Sequence, residues 1–298
     1  MIQENTCLYL SSRGILKSCN IHSANPVSSI RQLIGYDFSK LYDGCSLYIC
    51  NAAINNFSKM LSQINGRFVL VSGDCDESCP SDIFAKNEDF LSFIENPNII
   101  HWYSQNCVLS HPKLTQLPIG LDYHTLSQTN HPWGNMASPV EQEHLFKNII
   151  NGAKPFWERE IKCYSNFHFA MNTKFSYDRK DAYENISKDL VYYEPEHVRR
   201  FISWKNQSSY AFVLSPHGNG LDCHRTWEAL CLGCIPIVKT SPLDSMYVGL
   251  PVLIVDSWKD ITVDLLQQTV DDYKCREFMY EKLTLNYWMN KIQSCGSS

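Results

Sequence analysis

His217, Arg225 and Glu228 stand around the turn residues Gly218, Asn219 and Gly220, in the stretch SPHGNGLDCHRTWEALCLGCIPIVK that begins at Ser215. Imidazole and guanidinium donors beside glycines that expose backbone N–H groups suit an oxyanion, a phosphate above all. Glu228, one helical turn beyond His224, suits the hydroxyls of a ribose. The combination reads as a cradle for a phosphate and a sugar. A glycine turn between a strand and a helix also serves packing alone in many α/β proteins. Packing does not require His, Arg and Glu around it.

The elements that must position these groups follow from the flanking pattern. Tyr210-Ala211-Phe212-Val213-Leu214 predicts a buried strand, which Pro216 and the two glycines end. Asp222 is placed to cap a helix running to about Leu232, with Trp227, Leu230 and Cys231 inward. Gly233 suits a left-handed helix end, and Ile235-Pro236-Ile237-Val238 starts the next strand. A helix N-terminus beside the turn adds its dipole to the anion site.

Residues 215–238 resemble the signature of exostosin-like glycosyltransferases. The parts that match are Ser215, the loop Gly218 to Gly220, Arg225-Thr226-Trp227-Glu228-Ala229, and Gly233-Cys234-Ile235-Pro236-Ile237-Val238. The close match spans about 25 residues, and the strand–helix rhythm extends it over roughly residues 162–258. The N-terminal half has no residue-by-residue match. The resemblance implies a GT-B fold, two Rossmann-like domains with a cleft between them. It also implies a UDP- or GDP-linked sugar donor, no further cofactor, a glycan or glycoconjugate hydroxyl as acceptor, and inversion at the anomeric carbon. Donor-binding roles pass to Ser215, His217, Gly218, Asn219, Gly220, Arg225 and Glu228. Family members often place a basic residue near the phosphates after the first strand of this domain, which points to Lys174 and Arg179. A solvated helix start explains those two equally well.

Glycosyl transfer needs positive charge on the leaving diphosphate and a base on the attacking hydroxyl. Asp122 and His124 follow Pro118-Ile119-Gly120, where a tight turn, a carboxylate and an imidazole coincide. Asp74 and Asp76 follow the strand that ends at Ser72. Asp122 is the preferred base, although an aspartate in a turn needs no catalytic reason. Two other readings stay open. Asp74-Cys75-Asp76 after a strand is how GT-A enzymes hold manganese and a diphosphate, which would move the donor to the first half. The cradle also suits a nucleotide- or sugar-binding module without chemistry.

With 298 residues the chain has room for one large domain or two. A net charge of −5 excludes general attraction to nucleic acid or anionic membrane, so any anion site is local. Met1 to Asn5 carry no basic start followed by an apolar core, and no run of about 18 apolar residues exists. These features predict a cytoplasmic chain without a membrane span. The thirteen cysteines are irregularly spaced and are expected as reduced thiols, with Cys231 and Cys234 in the core and no metal site. Cys75 and Cys79, in a polar loop, take the same plain reading.

Strands are expected at residues 7–10, 47–50, 68–72, 99–103, 115–119, 167–171, 190–193 and 252–255. Helices are expected near 29–34 and 54–64, from Ser81 through Ile94 with Leu91 inside, and over 140–157, 179–186, 196–204 and 271–292. Residues 127–141 read as a loop or interdomain segment. The alternation argues for parallel sheets with helices on their faces. It divides the chain into an acceptor-side domain (1–138), a donor domain (139–270) and a terminal helix (271–298), which the resemblance implies crosses back to the first domain.

Overall fold

Apolar runs that alternate with helical stretches form parallel sheets, because each crossover helix covers a sheet face and the strands are buried on both sides. The computed structural model describes residues 4–167 and 172–297 and contains two such sheets. In the first, β1 (Cys45–Cys50), β2 (Phe68–Gly73), β3 (Ile99–Ser104) and β4 (Leu114–Gln116) lie side by side in chain order, all parallel. The second contains β5 (Glu160–Ser165), β6 (Val191–Tyr193), β7 (Tyr210–Leu214), β8 (Ile235–Lys239) and β9 (Leu253–Val255). Its order is β6-β5-β7-β8-β9, again all parallel. The chain runs outward from β5 to β6 and then returns to β7. That reversal opens a crevice at the carboxyl ends of β5 and β7, where open α/β sheets bind ligands.

The α-helices of the described residues are α1 (Ser12–Ser18), α2 (Ile54–Met60), α3 (Asn87–Ile94), α4 (His124–Gln128) and α5 (Pro139–Gly152) in the first part of the chain. They continue with α6 (Ser176–Asn185), α7 (Arg200–Gln207), α8 (His224–Cys231), α9 (Val263–Tyr273) and α10 (Leu285–Gly296). Among the described residues no helix is long and apolar enough to cross a membrane. One face of the first sheet buries Leu47, Leu70 and Trp102 against Phe57 of α2 and Phe90 and Phe93 of α3. The other face is covered by α1 and by Trp288, Met289 and Ile292 of α10, so the last helix packs on the first sheet. Phe146, Trp204, Trp227 and Leu230 cover the second sheet, and Ile119, Leu121 and Tyr123 from the segment after β4 join the same cluster. One core therefore reaches across both halves. Two parallel α/β units with their carboxyl edges facing a shared cleft make the GT-B architecture.

Several expected elements take a different form. Residues 7–10 make no strand: the Tyr9 N–H goes to the Glu143 carboxylate and the Leu10 N–H to Leu283, so no ladder forms. Residues 29–34 form turns, and the early helix is α1, capped by the Ser11 hydroxyl. Ser81 caps nothing, since the helix starts at Asn87 and leaves Leu91 exposed. The loop expected at 127–141 is shortened at both ends by α4 and by α5, whose start has a Ser138–Glu141 capping box. The helix expected to reach 157 stops at Gly152, and α7 begins at Arg200 rather than 196. Residues 271–292 are the end of α9, a break and most of α10, rather than one helix. The strand placed at 167–171 falls mostly on residues 168–171, which lie outside the described residues; β5 precedes it.

Candidate functional site

The turn after β7 is built from the inside. The Ser215 hydroxyl pairs with Thr226 Oγ1 at 2.7 Å, tying the turn to α8 beneath it rather than facing the cleft. The Gly218 N–H donates to the Gly220 carbonyl at 3.0 Å, so this N–H, expected to greet a phosphate, closes the turn instead. Asn219 is the exposed tip. The His217 N–H donates to Asp178 Oδ2 at 2.8 Å, and its Nδ1–H to the Leu221 carbonyl at 2.9 Å. Asp178 is fully buried and takes the Trp258 indole N–H on its other oxygen. Sequence reading missed Asp178, although an acidic residue in the first turn of a helix is a recognisable signal.

Two guanidiniums close on this turn. Arg179 Nε–H donates to the His217 carbonyl and Arg225 Nη1–H to the Pro216 carbonyl, each at 3.3 Å. A Cβ on Gly218 would stand 2.5 Å from Arg179 Nη2, so the glycine makes room for the arginine. Burial pushes the Arg225 guanidinium below its usual value; Cys223 and Glu228 oppose this and Arg179 adds to it. Among the described residues no carboxylate pairs with Arg225. A guanidinium drawn out of water without a carboxylate is costly, and an anion beside the turn would offset that cost for Arg225. Glu228 is buried on the same helix. Burial raises its carboxyl, Arg200 and His224 lower it, and Asp122 raises it again. Lys174 pairs with Asp82 of the first half at 2.6 Å and lines the same cavity as His217.

Asp222 is not the cap expected of it, because the helix begins one residue later with Cys223 at its N-cap. Its carboxylate instead accepts the Ile119 N–H at 2.7 Å and the Trp227 indole N–H at 2.8 Å. Burial pushes it up to about 6, against those two N–H groups and His224. Asp222 thus joins the two halves.

On the facing side Gly120 has φ +66°, and Asp122 is clamped. Arg200 of α7 binds both the Asp122 carboxylate, at 2.6 Å, and its carbonyl. His124 Nδ1 lies 3.1 Å from the other carboxylate oxygen, which also takes the Thr125 N–H at 3.0 Å. Burial alone would raise the Asp122 carboxyl, but Arg200, His124, His224 and the Thr125 N–H hold it well below the ordinary range. Burial pushes the His124 imidazole down, with Asp122 opposing. Asp74 gives its two oxygens to the Ser28 hydroxyl at 2.8 Å and to Arg13 at 3.3 Å. Asp76 reaches solvent, yet the cleft walls raise its carboxyl while His224 and Asn219 lower it. The pair Asp74 and Asp76 therefore looks two ways. Among the described residues no three His, Cys, Asp or Glu side chains gather to hold a metal ion.

His224 is the second residue that sequence reading passed over as a functional group. Its Nδ1 donates to the Gly120 carbonyl at 2.7 Å, and its ring lies 6.3 Å from that of His124. A cavity of about 350 Å³ opens beside the turn, with Ser78 and Val108 of the first half facing Phe175, His217, Leu221 and Lys239 of the second. A larger one of about 650 Å³ lies between α5 and α7 near the amino ends of β5 and β7, with none of the cradle residues in its wall.

No family model matches the chain, and no curated protein matches it. Among solved structures it is similar to a crystal structure of an α1,3-fucosyltransferase with GDP-fucose, at 12% identity and a TM-score of 0.39, covering 100% of this chain and 98% of that one. A likeness of that size bears on neither substrate nor mechanism.

Proposed function

We propose that the protein is a glycosyltransferase of the exostosin-like type, which moves a sugar from a nucleoside diphosphate to a hydroxyl of a glycan or glycoconjugate. The observation that carries this reading is the convergence of Arg179 and Arg225 on the turn after β7, at the carboxyl edge of the second sheet. Two cations there match the charge that grows on a diphosphate as it leaves, and Glu228, on the same helix as Arg225, would take the ribose hydroxyls. The guanidiniums supply that charge themselves, so the reading includes a metal-independent, single in-line displacement with inversion. Residues 139–270 would form the donor domain and 1–138 the acceptor side. Asp74 and Asp122, engaged by Arg13 and Arg200, serve here as structural charges rather than as bases.

Thermal-shift titration with UDP, GDP, CMP and their sugar conjugates, each with and without EDTA, tests the reading. A ligand that binds only the folded state raises its melting temperature by mass action. The expected result is a shift with one diphosphate that survives EDTA and is lost in Arg225→Ala. In turnover, Arg225→Ala should lower kcat/KM by about 10²-fold or more. A manganese-dependent shift would move the donor to Asp74 and Asp76. Tight nucleotide binding without turnover would leave a binding module.

A further inference from the structure

His224 stands first in α8, one residue before the cradle's Arg225, yet its ring is held by the opposite half of the molecule. A carbonyl oxygen only accepts, so the 2.7 Å contact with Gly120 requires the proton on Nδ1, and in the neutral ring the free lone pair is then the one on Nε2. Among the described residues Nε2 has no hydrogen-bond partner, and the side chain is part-exposed. The charged groups around it come from every neighbouring element: Asp76 after β2, Asp122 and His124 after β4, and Asp222 and Glu228 at α8. Arg200 of α7 neutralises Asp122 among them. Asp122 itself is kept ionised by its partners and accepts a proton poorly.

Resting on the glycosyltransferase reading above, we propose that His224 is the catalytic base that takes the proton of the acceptor hydroxyl. The acceptor oxygen forms its bond to the anomeric carbon as the bond from that carbon to the diphosphate oxygen breaks. The electron pair leaves on the diphosphate, beside Arg225 and Arg179. The acceptor proton passes to Nε2 and then to water. The Gly120 carbonyl fixes the tautomer that makes this possible, and it does so only while the two halves are docked. Proton acceptance is thereby coupled to the closed arrangement of the cleft.

The test uses the full chain, with UDP- and GDP-sugars as donors and water or simple methyl glycosides as acceptors, and reads the released nucleoside diphosphate. His224→Asn keeps an N–H where Nδ1 donates to Gly120 but has no basic Nε2. It is expected to lower kcat by about 100-fold or more and to abolish the acid limb of the kcat/KM profile against pH. Its melting temperature and its shift with the nucleoside diphosphate should match the wild type. If that variant fails to fold, His224→Gln, which retains the ring's reach, takes its place in the same assay. Full activity with the acid limb intact in a folded His224 variant that binds nucleotide would overturn the assignment. Loss of the limb in His124→Asn with retention in His224→Asn would overturn it in favour of His124. A wild-type chain that binds none of the nucleotides overturns the donor reading, and this proposal with it.

Discussion

Asp122 illustrates how neighbours decide what a side chain can do. Its sequence context, a glycine turn followed by a carboxylate and an imidazole, looks like a base. Arg200, 78 residues along the chain, clamps it at 2.6 Å and keeps it ionised, so the same contacts that stabilise the charge remove its affinity for a proton. Glu4 is the reverse case. It is fully buried, Lys17 stands no nearer than 3.9 Å, and burial raises its carboxyl to about 7 against the Ser11 hydroxyl and Lys17. The folded-state value lies above the unfolded one of 4.5, so the neutral group's contribution is complete below pH 4.5 and is lost as pH rises through 7. Urea unfolding of the wild type should therefore lose up to about 3 kcal/mol between pH 5 and pH 8 from this residue, and Glu4→Gln should remove that slope. An unchanged slope in the variant would place the pH dependence elsewhere.

At the scale of elements, α8 and the strands beside it were legible because their apolar residues are dense and their ends are marked by Gly218, Gly220 and Gly233. The left-handed φ of +71° at Gly233 bears that out. The segment after β4 was legible only as a turn, and its glycine does more than turn the chain. Gly120 combines φ +66° with a backbone so close to Leu10 that a Cβ would overlap its carbonyl. Gly120→Ala should destabilise by about 3 kcal/mol, through both strain and displacement of the bridge to Ser11. Gly152, at the end of α5, has open space around it. Gly152→Ala should be neutral or stabilising by up to about 1 kcal/mol. Guanidinium midpoints for the pair separate a glycine needed for its conformation from one that is not. Helix ends that lack such markers, at residues 81–87 and 196–200, were misplaced because nothing in the local sequence stops or starts a helix there.

For the whole molecule, the decisive contacts are those between the halves. Asp222 accepts an N–H from each side of the cleft floor, Ile119 from the first half and Trp227 from the second. His224 and Lys174 make parallel links, and the cluster around Trp227 and Tyr123 supplies the apolar part. An amide at 222 would turn its NH₂ toward one of the two donors and leave a buried N–H without an acceptor. Asp222→Asn should then lower stability by about 1–3 kcal/mol and speed hydrogen exchange at the Ile119 amide ahead of amides in β1 and β2. Exchange at Ile119 unchanged from the wild type would show that the apolar cluster alone holds the halves together.

Periodicity and punctuation determined the two strand–helix series, the parallel sheets and the glycine turn that carries Arg225, because burial on both strand faces and φ preferences are local and leave a mark on neighbouring residues. Arg179 was expected near this turn as a basic residue one element upstream, and its Nε–H does reach the His217 carbonyl. The partners of Asp122, Asp74, Asp222, Lys174 and His224 were decided only by the tertiary structure. Each is a side chain 46 or more residues away or a backbone group of the other half, and the strength of such a contact depends on distance and burial that no local pattern records.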